Sequence, residues 1–186
     1  NGRYVAFQSN SPNFAELDHG YGYNVFLHDR VTHTTELVSR STRGESGNSA
    51  SESPSVSGDG RYITYRSAAS NLASNDSNGN WDIFLYDRQS GVTTLVSRGT
   101  DGQSSNAECY APVISQDGKF IAYWTYASNL VSGDTNNQAD VFLYDVENGT
   151  TRLISRSSES VLGNARSESP SISADGRYVA FESWAS

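Results

Sequence analysis

The chain has 186 residues, with 13 Lys and Arg against 21 Asp and Glu, a formal net charge of −8. That balance excludes a nucleic-acid partner, whose phosphates need a basic footprint, and argues against anionic membranes. The apolar runs are too short to span a bilayer, so no membrane insertion is expected, and the single cysteine, Cys109, allows no internal disulfide.

The first predicted strand is RYVAF (3–7), followed by VFLHD (25–29), ELVS (36–39) and SPSVS (53–57). The same four pieces then return at a step of 58 residues. RYITY (61–65), IFLYD (83–87), TLVS (94–97) and APVIS (111–115) form the second set. KFIAY (119–123), VFLYD (141–145), RLIS (152–155) and SPSIS (169–173) form the third, and RYVAF (177–181) opens a fourth. The repeats run roughly 1–58, 59–116 and 117–174, with a partial unit at 175–186, all within one segment, 1–186. Self-similarity at a fixed period sets the architecture before any local feature does.

Each unit predicts four antiparallel strands. RYVAF-type runs alternate and are rich in β-formers, while VFLY is apolar on both faces, as a strand between two sheets should be. Asp-Gly between the Pro-Ser piece and the RYVAF run signals a hairpin, because Gly supplies φ > 0. Gly91 and Gly149 mark a second tight turn, and Pro54, Pro112 and Pro170 are expected at the start of their strands. No stretch shows a helical period. The fold class is all-β, a β-propeller of four-stranded blades. Three repeats do not close a ring, so we expect an open fragment of a parent with about six to eight blades, completed by further blades of the parent chain or by a partner copy.

The pattern Ser-x-Asp-Gly-(Arg/Lys)-(Tyr/Phe)-(Val/Ile), then (Val/Ile)-Phe-Leu-Tyr-Asp, then Leu-(Val/Ile)-Ser-Arg resembles the TolB-type propeller repeat, a relative of the WD repeat. It departs from that family at SVSGDG (55–60), VISQDG (113–118) and SISADG (171–176), where the family often has Trp-Ser-Pro-Asp-Gly. The resemblance implies a strand order with the Pro-Ser piece innermost and the Leu-Val-Ser piece outermost. Both long connections, such as 68–81 and 99–110, then fall on one face, opposite the tight turns. Loops on a rigid scaffold are where binding is expected.

Within those loops, DSNGNWD (76–82) and DTNNQAD (134–140) place oxygen ligands at alternate positions. Asp76, Asn78, Asn80 and Asp82 form one candidate calcium set, and Asp134, Asn136, Gln138 and Asp140 the other. Calcium favours such cages of carboxylate and amide oxygens, and two carboxylates per loop predict a dissociation constant of ~10⁻⁵ to 10⁻³ M. The same residues also cap turns by themselves. The first-repeat copy, DHGYGYN (18–24), has glycines at two of the positions and is assigned no ion.

Asn48, Asn106 and Asn164 recur and are expected to satisfy backbone groups between blades. Arg40, Arg98 and Arg156 are expected to pair across blades with Asp29, Asp87 and Asp145. Glu52 and Glu168 near the inner strand are a less favoured acid–base pair. No catalytic fingerprint occurs, and the aromatic residues read as core. Two functions fit. One is a non-catalytic extracytoplasmic propeller, secreted, periplasmic or at the cell surface, that binds a protein or carbohydrate ligand through its long-loop face with calcium-stiffened loops. The other is the propeller part of a larger hydrolase or lyase.

Overall fold

The structure, a computed structural model, describes residues 2–15 and 22–186. Among these residues there are strands and turns and no α-helix. The strands are β1 (Tyr4–Ser9), β2 (Asn24–Asp29), β3 (Thr34–Leu37), β4 (Ser51–Val56), β5 (Tyr62–Ser67), β6 (Asp82–Asp87), β7 (Val92–Leu95), β8 (Cys109–Ile114), β9 (Phe120–Thr125), β10 (Asp140–Asp145), β11 (Thr150–Leu153), β12 (Ser167–Ile172) and β13 (Val179–Ser183). They pair in order as β1-β2-β3, β4-β5-β6-β7, β8-β9-β10-β11 and β12-β13, all antiparallel. The two middle sheets are complete four-stranded blades, here called the second and third, between a first and a fourth.

The third strand of each blade explains the doubly apolar VFLY text. On β6, Phe84 and Tyr86 point into a buried cluster with Val25 and Leu27 of the first blade. Ile83 and Leu85 point the other way, into a cluster with Ile121, Tyr123 and Phe142 of the third. Side chains alternate across a strand, so a strand wedged between two cores has no polar face to show. The core therefore sits between blades. Cys109 is buried in the second of these clusters as a free thiol, and burial pushes it up to about 12.

The Asp-Gly turns stack one blade on the next. The Asp59 carboxylate accepts from the Arg61 N–H at 3.0 Å and from the Ser57 hydroxyl, whose oxygen in turn accepts from the Tyr62 N–H at 3.0 Å. Asp117 and Asp175 repeat this geometry. Gly60, Gly118 and Gly176 have φ of 74°, 75° and 68°. Each also lies against a ring of the preceding blade. A Cβ at Gly60 would come within 2.2 Å of Tyr4, one at Gly118 within 2.8 Å of Tyr62, and one at Gly176 within 2.1 Å of Phe120. These glycines are required twice, by backbone and by neighbour.

Two sequence expectations need correction. Pro54 and Pro112 do not start their strands. They sit inside β4 and β8 at a register shift, between Glu52 and Ser55 and between Tyr110 and Val113, and Pro170 does the same in β12. The preceding residues Ser53, Ala111 and Ser169 take φ of 54°, 48° and 55°. A bulge leaves one residue unpaired, which is where a missing N–H costs least.

The arginine assignments also change. Asp29 and Asp87 pair within their own blades, through two-pronged contacts with Arg3 (2.7 and 3.0 Å) and Arg61 (2.9 Å for both). These bonds hold the Asp87 carboxyl down at about 2 and Asp29 lower still. Asp145 instead takes the Asn148 amide at 2.8 Å, because Lys119 stands where the others have Arg. Arg40 does cross to the next blade, but onto the Tyr86 hydroxyl and ring, and Arg98 reaches the Gly149 carbonyl at 3.4 Å.

Gly91 shares the positive φ, at 71°, but meets nothing within 4 Å of its Cβ position. Gly91→Ala is therefore expected to cost about 1 kcal/mol, and Gly118→Ala about 2–4 kcal/mol because the Tyr62 ring must also move. Denaturant unfolding of the two variants measures the difference.

Candidate metal centre on the long-loop face

The long connection that leads into each blade is knitted to that blade's own long loop. Asn48 accepts from the Ser70 N–H at 3.0 Å and donates to the Ser70 hydroxyl, while its own N–H reaches Asn71. Asn106 repeats this with Ser128 and Asn129, and Asn164 with Ser186. The amides satisfy backbone groups as expected. Their partners, however, lie in the loop of the blade that each Asn leads into, not in a neighbouring blade. These bonds place both connections on the same face.

The second blade holds an incomplete polar site beneath that knot. Asp76 lies within the 68–81 loop and Asp82 opens β6. Asp76 is 6% exposed and Asp82 fully buried. Asp82 Oδ1 accepts from the hydroxyls of Ser97 and Ser105, the latter at 3.1 Å. Asp82 Oδ2 and both oxygens of Asp76 have no hydrogen-bond partner, although Asn78 reaches toward them. Burial pushes the Asp82 carboxyl up to about 6, with the Asp76 charge adding to it, and burial raises Asp76 as well. Buried carboxylate oxygens without donors are costly, and protonation, an ordered water or a bound cation relieves them.

The other two positions are used differently. Asn78 Oδ1 accepts from the Asn80 N–H at 2.8 Å, and its Nδ2 donates to the Ser105 carbonyl. That is an Asx turn, closed around Gly79 at φ 69°. The loop thus divides along its length: Asn78 and Asn80 build the turn, and the Asp76 and Asp82 carboxylates take no part in it.

In the third blade the plan is the same but more self-contained. Asn136 accepts from the Gln138 N–H at 3.0 Å and donates to Asp140 Oδ2 at 2.8 Å. Asp140 Oδ1 takes the Ser155 hydroxyl. Asp134 is pushed up to about 6 by burial and then by the Asp140 charge, partly offset by Arg156. Asn136 also donates to the Gly163 carbonyl at 3.1 Å, as Asn78 does to Ser105, so the two amides are placed alike and only the third-blade amide closes onto its carboxylate. In the first blade, Asn24 stands at the Asp82 position and accepts from Ser39 at 2.7 Å. Asp18 and its neighbours to Tyr21 lie outside the described residues.

The serines that hold these carboxylates, Ser97, Ser105 and Ser155, were not singled out in the sequence. For Ser97 and Ser155 the signal was there, since the Ser of the Leu-(Val/Ile)-Ser-Arg piece recurs at the same step of 58; Ser105 has glycine at the equivalent positions, Gly47 and Gly163, and gave none. The Glu52 and Glu168 carboxylates are each engaged by an arginine, Arg66 and Arg166.

No family model matches the chain, and no curated protein does. Solved structures do. Porphyromonas gingivalis dipeptidyl peptidase 4 is 14% identical with a TM-score of 0.57, over 99% of this chain and 28% of that one. A TolB-type protein from Agrobacterium tumefaciens is 13% identical with a TM-score of 0.56, over 100% of this chain and 56% of its own. The fold is a TolB-like β-propeller. Oligogalacturonate lyase from Vibrio parahaemolyticus gives 12% and 0.55, over 100% of this chain and 43% of that one. The propeller segment thus spans between about a quarter and somewhat over half the length of these proteins.

The raised carboxyls make a pH prediction. In chelator, folded Asp82 and Asp134 hold protons up to about 6, whereas the unfolded groups release theirs near 3.8. The folded state binds more protons across that window, so the contribution of these groups to stability falls as pH rises from about 4 to 6. Asp76→Asn removes one of the repelling charges. It is expected to flatten the fall and to raise the melting temperature in chelator at pH 7 by a few degrees, as read by calorimetry.

Proposed function

We propose that this chain is an extracytoplasmic propeller segment that binds a partner through its long-loop face, with calcium bound at Asp76 and Asp82. The observation that carries the reading is the buried carboxylate pair of the second blade, whose free oxygens lie at the junction of the two long connections. A calcium ion there supplies the missing positive charge, with Asp76 and Asp82 as its carboxylate ligands. Asn80 and backbone carbonyls of the loop complete a hard oxygen set of the kind calcium takes. The second set, Asp134 with Asp140, Asn136 and Gln138, binds more weakly, because the Asn136 amide must first give up Asp140.

The ion's role is mechanical. Asp82 already holds Ser105 of the other connection, and Asn78 holds its carbonyl. Neutralising Asp76 and Asp82 fixes both connections as one surface, and an ordered surface binds at lower entropic cost. Extracytoplasmic placement is in keeping with this use, since extracellular calcium modules work at 10⁻⁴–10⁻³ M ion.

A second reading also has support. Two of the structural neighbours are a peptidase and a lyase, and this chain matches only part of each. The segment then is the propeller portion of a larger hydrolase or lyase, and its long-loop face steers substrate rather than a partner.

The test is thermal unfolding at pH 7 with calcium and with chelator. Calcium at about 10⁻³ M is expected to raise the melting temperature by several degrees, following mass action. Asp76→Asn abolishes that response, and Asp134→Asn leaves most of it. An unchanged melting temperature in the unsubstituted protein removes the ion from the account.

A further inference from the structure

We propose that the aromatic corner formed by Trp124 and Tyr126 on the long-loop face receives an arginine side chain from a partner protein. The starting point is a break in the repeat. In the second blade, Glu52 lies opposite Arg66 and the two pair. In the third blade, the same register holds Tyr110 opposite Trp124, stacked at 4.2 Å and 14°. Two residues on, Ala68 of the second blade becomes Tyr126 in the third.

The first two changes have a packing explanation, because a stacked cross-strand pair replaces an ion pair. The third does not. Tyr126 is 48% exposed and meets Trp124 edge-on, with centroids 6.1 Å apart at 74°. Trp184, 52% exposed, stands one step of 58 further on in the fourth blade, so a large ring recurs on this rim, and such a ring is better explained by something that covers it.

The molecule itself shows what such rings take. Arg66 lies 4.5 Å over Trp81 and 5.2 Å from the Tyr110 ring, and so bridges the second and third blades. On the fourth, Arg166 lies 4.1 Å over Trp184. Where Trp124 replaces Arg66, the repeat loses its own cation and gains ring surface. Glu108, which accepts from the Tyr110 hydroxyl at 2.7 Å, adds an exposed carboxylate to the same surface. The net charge of −8 has the same sign. Ring faces and carboxylates together suit a cation. The planar guanidinium stacks and forks, which favours arginine over lysine.

This inference rests on the long-loop face being the binding surface and is independent of calcium. The test is a titration of the protein, in calcium, with an acetylated arginine-containing hexapeptide, with the same peptide carrying citrulline, and with cellohexaose as a neutral ligand that also stacks on rings. Tryptophan fluorescence reads binding. The arginine peptide is expected to bind and to weaken with added salt. The citrulline peptide on the unsubstituted protein, and the arginine peptide on Tyr126→Ala, are each expected to bind about threefold or more weakly, with the melting temperature of the variant unchanged. Equal binding of the citrulline peptide, unchanged binding by Tyr126→Ala, or binding of cellohexaose alone would overturn it. Failure of all three probes would do so as well, while the calcium response of the same samples still decides the proposed function separately.

Discussion

The fold depends on one repeated contact. The glycine of each Asp-Gly turn lies flat against an aromatic ring of the preceding blade: Gly60 on Tyr4, Gly118 on Tyr62, Gly176 on Phe120. That approach has no room for a side chain, so it fixes how closely the blades stand. The strand two places further out in the second blade, β6, is then caught between two cores, which is why it is apolar on both faces. The tight turns are consumed by stacking. What remains for other work is the opposite face, where the connections are long.

That face meets a different constraint. Its loops carry many buried polar groups, and each must find a partner. Most do, through the amides of Asn48 and Asn106 and the hydroxyls of Ser97, Ser105 and Ser155. The second blade stops short, leaving Asp76 and one oxygen of Asp82 without donors. The third blade solves the same problem internally, with Asn136 on Asp140. One sequence pattern thus yields two chemically unequal sites. The difference is one of approach: Asn136 comes within 2.8 Å of its carboxylate, whereas Asn78 is held on the Ser105 carbonyl and leaves Asp82 Oδ2 without a bond.

Much of this was legible from the chain. The step of 58 gave the blades, their strands and the separation of faces, because each feature depends on local pattern repeated without gaps. DSNGNWD and DTNNQAD were legible as loops with oxygen at alternate positions, but spacing could not separate turn-building Asn78 from unpaired Asp76. That distinction depends on Ser105 and Ser97, which come from other connections. The arginines misled for a related reason. Recurrence identified Arg40 and Asp29 as fixed features of the repeat, yet Asp29 is reached first by Arg3 from the adjoining strand of its own blade. Proline was placed at strand starts because a missing N–H is cheapest there, and the bulge in β4 offered an equally cheap interior place.

The stacked turns are complete in themselves, and the proposed ion finishes the long-loop face of the second blade. Amide hydrogen exchange with calcium and with chelator tests it directly. The Asp-Gly turns at 57–62 and 115–120 are expected to exchange equally slowly in both, and amides of 75–82 and 103–107 to gain protection with calcium. Equal protection of those loops in chelator, or a calcium response spread evenly over turns and loops, would contradict it.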